Sequence, residues 1–198
     1  MRISRALGTA AAVTAALGGL TAPALANAKT SKKPKPKTTY KVTGGTVTAT
    51  FSSTSATVLG ALGIKVSVSA PTTQPTPTEI VFPLKSGTVN TKTGAATLNA
   101  APGGSVVYSK GTTSLTVTNA SVALGKGPVL NAALDGKSGP FLTLSSGALK
   151  VKGGKATVSS LQAKLSPIAA EAFDDIFSTV LLSPNLTVAT VSIDAKVK

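Results

Sequence analysis

The sequence predicts a mainly β fold, an antiparallel β-sandwich or barrel-like domain with two short helices. Three observations lead there. Val47, Ala49 and Phe51 alternate with threonines, and Ile64, Val66 and Val68 alternate again, the period-two pattern of half-buried strands. Turn pairs such as Gly103-Gly104, Lys110-Gly111, Asp135-Gly136 and Gly153-Gly154 recur at short intervals, which leaves room for strands rather than long helices. Only the stretches 53–62 and 167–178 carry apolar residues at helical spacing.

Taken in order, Val42 opens a strand that Gly44-Gly45 interrupts before the Val47–Phe51 alternation. The first helix follows, with Ser53 or Ser55 able to cap it, and Ala56, Leu59 and Leu62 near one face. Gly63 ends it, and Ile64 to Val68 is the next strand. Residues 70–78 read as a Pro/Thr loop. Ile80–Leu84, Ala96–Leu98 and Val106–Tyr108 are short strands separated by the Asn90–Gly94 hairpin loop and the Pro102–Gly104 turn. Leu115 and Val117 share one phase, whereas Ala120, Val122 and Leu124 share the other. That slip near Asn119 predicts a β-bulge or a strand crossing between sheets. Ser166-Pro167 opens the second helix, serine as cap and proline at the first position, with an apolar stripe of Ile168, Ala169, Ala172, Phe173, Ile176 and Phe177. A last strand runs from Leu186 to Val197. Phe51-Ser52 with Ala56, Leu59 and Leu62 is echoed, at constant offset, by Leu165-Ser166 with Ala170, Phe173 and Ile176.

Ahead of this domain, Arg2 and Arg5 precede an uncharged run from Ala6 to Ala22 and the small residues of Pro23-Ala-Leu-Ala26. These are the three regions of a secretory signal peptide over residues 1–26, with Asn27 or Lys29 as the new N-terminus. The segment is too rich in Ala, Gly and Thr to be favoured as a retained span. Residues 27–39 form a basic Lys/Pro-rich tail with Lys29, Lys32, Lys33, Lys35 and Lys37, no acid and no bulky apolar residue, so it is expected to be disordered. One domain then occupies 40–198. The expected destination is secreted, extracellular or wall-associated.

The whole chain carries a formal charge of +14, and losing Arg2 and Arg5 with the leader leaves +12. Every other basic side chain is lysine. The expected partner is an anionic wall polymer or lipid surface bound by the tail lysines, with nucleic acid disfavoured because no aromatic platform accompanies them. The chain has no cysteine and no histidine. Disulfides, thiolate chemistry, Ser-His-Asp triads and histidine-based zinc sites are thereby removed. Of six acids only Glu171, Asp174 and Asp175 are close in sequence, and they are read as a solvated helix face. No catalytic residue, metal ligand or cofactor is assigned. Tyr108 is the cofactor-binding candidate only if haem is bound, as a tyrosinate ligand.

The run Val81-Phe-Pro-Leu84, Gly87-Thr-Val-Asn90, Gly103-Gly104, Ser114-Leu-Thr-Val117, Leu142-Thr-Leu144 and Leu165-Ser-Pro-Ile-Ala-Ala170 resembles the HtaA-domain family of secreted and surface proteins of high-GC Gram-positive bacteria. The likeness covers nearly all of the chain from about Tyr40. It implies a β-rich fold with a couple of helices, and a haem held by a tyrosine supported by a histidine. Thr54 stands where that tyrosine would be, and Lys110-Gly111 is the nearest match to the histidine-glycine pair. Both haem residues are therefore missing. The reading is an exported, non-catalytic surface or extracellular module for binding or structure. A haem or porphyrin carrier in iron acquisition is the alternative, and an extracellular hydrolase is third.

Overall fold

The structure is a computed structural model that describes residues 37–178, 184 and 186–198. The predicted signal peptide and four of the tail lysines, Lys29, Lys32, Lys33 and Lys35, lie outside them. Lys37 is described and exposed, its ammonium 5.2 Å from the centre of the Tyr40 ring.

The described chain forms twelve strands and two helices, in the order β1 (Thr39–Phe51), α1 (Ser53–Ala61), β2 (Lys65–Ser69), β3 (Thr73–Thr76), β4 (Glu79–Asn90), β5 (Ala95–Ala100), β6 (Ser105–Lys110), β7 (Thr113–Leu124), β8 (Val129–Leu134), β9 (Lys137–Leu144), β10 (Lys150–Lys152), β11 (Lys155–Leu165), α2 (Pro167–Phe177) and β12 (Thr187–Val197). β1 begins at Thr39, one residue inside the predicted tail. The predicted Pro/Thr loop holds a short strand, β3, whose Thr73 and Thr76 pair with Val81 and Glu79 of β4. Pro75 is tolerated in it because β3 has no further neighbour and needs few ladder donors.

Every pairing is antiparallel. Following neighbours from β1 through β12, β11, β9, β8, β7, β5 and β4 leads back to β1, so eight strands close a barrel. Closure leaves the ring without a free edge. β7 makes it work. Its first half pairs β6 and its second half pairs β5 on the same edge, while β8 runs along the other. Between the halves Asn119 adopts a left-handed φ of 54°, and the β7–β8 register shifts between Thr118 and Ser121. The phase slip in the sequence is thus a bulge that hands one strand edge from β6 to β5.

The Gly44-Gly45 pair does not end a strand. β1 runs through it with a register shift against β12 between Val42 and Gly44. Gly45, at φ 118°, lies so close to the Asp194 carbonyl that a Cβ would collide with the backbone. Glycine is required where the long strand bends to follow the barrel. The inward residues of all eight strands, with Val89, Leu98, Leu115, Leu161 and Val191 almost fully enclosed, make one core.

Candidate functional site

Both helices sit at strand ends, and both begin the same way. β1 ends at Phe51, opposite Ala189 of β12. Ser52 then donates its N–H to the Val188 carbonyl at 2.9 Å and its hydroxyl to the Thr187 carbonyl at 2.9 Å, while its Oγ accepts from the Ser55 N–H at 3.1 Å. β11 ends at Leu165, opposite Leu142 of β9. Ser166 donates its N–H to the Phe141 carbonyl at 3.0 Å and its hydroxyl to the Pro140 carbonyl, and its Oγ accepts from the Ala169 N–H at 3.0 Å. Each serine therefore caps a helix and fastens that corner to the neighbouring strand. For α1 the cap is Ser52, not Ser53 or Ser55. Ser55 lies inside the first turn, buried, with its hydroxyl 2.8 Å from that of Ser52.

α2 buries Ala169, Ala170, Phe173 and Phe177. Ala172 and Ile176 pack against the core from partly buried positions, and Ile168, expected in the stripe, is 53% exposed. The stripe is narrower than predicted because Pro167 and Ile168 start the first turn on the outside, and Ala170 takes the inward place.

Between the two corners the barrel interior keeps a cavity of about 50 Å³. Phe51, Phe82, Tyr108, Phe141 and Phe173 are the largest side chains of its wall. Ser55 and Tyr108 are the polar residues among those lining it. The Tyr108 ring meets Phe173 edge-on, with centroids 4.9 Å apart and planes at 79°, and Phe173 leans on Phe177 at 5.8 Å. Burial pushes the Tyr108 hydroxyl well above the usual tyrosine range, because a phenolate is poorly solvated there.

The remaining candidates lie elsewhere. Thr54 and Lys110, the positions matched to the family's haem ligands, are both exposed and line no part of the cavity. Thr54 is on the outer side of α1 and Lys110 ends β6. Haem does not fit this ligand set: neither matched residue faces the interior, and the one phenol that does is held protonated. Glu171 and Asp175 are exposed on α2, and Asp174 is half-buried, its Oδ1 without a hydrogen-bond partner among the described residues. No group of three or more acids gathers there as a metal site among the described residues. The cavity wall leaves no mark in the sequence, because nothing in the spacing of Tyr108 and Phe173 pairs them.

A closed eight-stranded antiparallel barrel covered by two serine-capped helices belongs to the small β-barrels, whose interiors are filled by side chains or hold one small ligand. This particular chain has the HtaA fold. It is similar to the C-terminal domain of HtaA from Corynebacterium glutamicum, with a TM-score of 0.59 and 18% identity, covering 80% of this chain and 99% of that one. It is also similar to a histidine-to-alanine variant of the same Corynebacterium glutamicum domain in domain-swapped dimer form, with a TM-score of 0.54 and 20% identity, covering 73% of this chain and 90% of that one. No family model matches the sequence, and no curated protein does. No helix among the described residues is long and apolar enough to cross a membrane.

Proposed function

We propose that the protein is an exported, non-catalytic surface or extracellular binding module that takes a small apolar ligand in the cavity between the α1 and α2 corners. The cavity carries this reading. At about 24 cal/mol per Å³, a void of this size lowers stability by roughly 1 kcal/mol. A wall this apolar stays dry and favours an apolar guest. Tyr108, held protonated, offers a hydrogen-bond donor to the polar end of such a guest. The leader sequence supports export, and the HtaA-like fold supports a surface setting. The lack of histidine and cysteine supports a role without covalent chemistry.

The test is thermal unfolding with xenon or benzene as probes. A bound probe raises the midpoint by mass action, and Val117→Phe, which fills the void, removes the increase. An unchanged midpoint with both probes overturns the proposal. A haem carrier is the alternative the sequence offers, and the ligand set disfavours it: Tyr108 would have to lose a proton that burial holds in place. On that reading haemin gives a Soret band that Tyr108→Phe abolishes. A free-haemin spectrum with the unaltered protein rejects it.

A further inference from the structure

The outer face of the barrel carries a concentration of lysine at the end away from the helices. Lys152 of β10 stands directly opposite Lys155 of β11, and Lys155 stands directly opposite Lys196 of β12. Lys198 and Lys41 exchange both backbone hydrogen bonds, N–H to carbonyl at 2.9 and 3.0 Å, and are opposed in the same way. Lys150, two residues before Lys152, is on the same side. All six are exposed. Directly opposed residues in a sheet point to one side, with Cβ atoms about 5 Å apart, and the next residue on that side is about 7 Å along the strand. Four adjacent strands, β10, β11, β12 and β1, thus present six ammonium groups on one surface. The acid among them is Asp194, 3.5 Å from Lys155.

Like charges directly opposite one another destabilise a sheet. Three such pairs in one place work against the fold of the free protein, and a single aspartate does not neutralise them. An anionic partner relieves the repulsion when it binds. Its shape follows from the surroundings. The large exposed apolar residue among the described residues is Ile168, on α2, reached from the opposite end of β11. The lysine face therefore has no apolar anchor to insert into a bilayer. It also has no exposed aromatic platform on which bases could stack. Lysine binds phosphate as a point charge without demanding planar geometry.

We propose that this face is a docking surface for a linear phosphate polymer, laid across the four strands along the lysines. The surface is on the barrel exterior, separate from the apolar cavity, and stands or falls independently of it.

The experiment uses the full mature chain, with inorganic polyphosphate as the probe. The variants are K152Q/K155Q/K196Q, its charge-retaining counterpart K152R/K155R/K196R, and K110Q/K126Q/K137Q, which removes the same charge from exposed positions elsewhere. The first is expected to bind about tenfold or more weakly, and the other two to stay near the unaltered protein, with affinity falling steeply as salt rises. Without polymer, the first variant should unfold at a midpoint no lower than the unaltered protein, since it has lost repulsion. Equal losses in the two glutamine variants, a lowered midpoint in the first, or no binding by the unaltered protein each overturn the proposal. Phosphatidylglycerol vesicles or single-stranded DNA bound as tightly as polyphosphate overturn the choice of partner.

Discussion

The corner at Ser52 and the corner at Ser166 share one backbone design and bear different loads. In each, a strand ends opposite a neighbour, a serine binds two successive carbonyls of that neighbour, and its Oγ receives the N–H three residues on. Beyond the serine they part. α1 sends Ser55 and Leu59 inward and otherwise lies on the surface. α2 drives two phenylalanines into the core and sets one against Tyr108. The repeated element is the attachment, and the side chains behind it decide whether the helix is a cover or a plug. A cap fixes where a helix starts, but the area it buries fixes how much stability depends on it.

The largest break in this comparison is Phe173→Ala. The ring is 2% exposed, so its removal should destabilise the domain by roughly 3–5 kcal/mol in urea or thermal unfolding. A loss below about 1 kcal/mol would mean that α2 covers the barrel as α1 does. Next come the caps. Ser166→Ala should destabilise by about 2 kcal/mol, because a fully enclosed serine leaves both the Ala169 N–H and the Pro140 carbonyl without a partner. Ser52→Ala should destabilise by about 1 kcal/mol, since that corner is half-buried and water reaches it. Equal effects would show that the shared attachment alone, whatever helix lies behind it, decides what each serine is worth. The smallest effect belongs to Ile168→Lys, expected within about 0.5 kcal/mol of the unaltered protein because the side chain already faces water.

Much of the architecture was legible because it is local. Both helices fall within a residue or two of their expected bounds, and Ser166 caps α2 as its serine-proline start predicted. The phase slip at Asn119 is a bulge, and the Phe51-Ser52 and Leu165-Ser166 echo is a repeated corner with matching hydrogen bonds. The first cap was misplaced by a residue or more because Ser52, Ser53 and Ser55 are chemically equivalent until the neighbouring strand supplies the Thr187 and Val188 carbonyls. A pair of glycines looks alike in a turn and in a bent strand, so Gly44-Gly45 gives no sign in the sequence that β1 continues through it. Helical spacing alone does not say which way the first turn of α2 faces, so Ile168 fits the expected stripe and yet points outward.

The cavity was not legible at all. Its wall draws on strands and helices from Ala49 to Ala189, and residues so far apart are brought together by the ring closure, which no short pattern encodes. The lysine face is a similar case. Lys152 and Lys155 meet across the Gly153-Gly154 turn, but Lys196 joins them through strand register alone, whereas the basic segment at 29–37 is conspicuous because its lysines lie close in sequence.

The position of β12 has a consequence for timing. It is the last strand described, yet it lies between β1 and β11, and the Thr43 hydroxyl reaches the Lys196 carbonyl across 153 residues of chain. Until Thr187 to Val197 is in hand, β1 and β11 each lack a partner along one edge and the barrel cannot close. Contacts this remote in sequence form slowly. A chain lacking Thr187 to Val197 therefore cannot close the ring, and the pairing of β12 with both β1 and β11 is the step that removes the last two open edges.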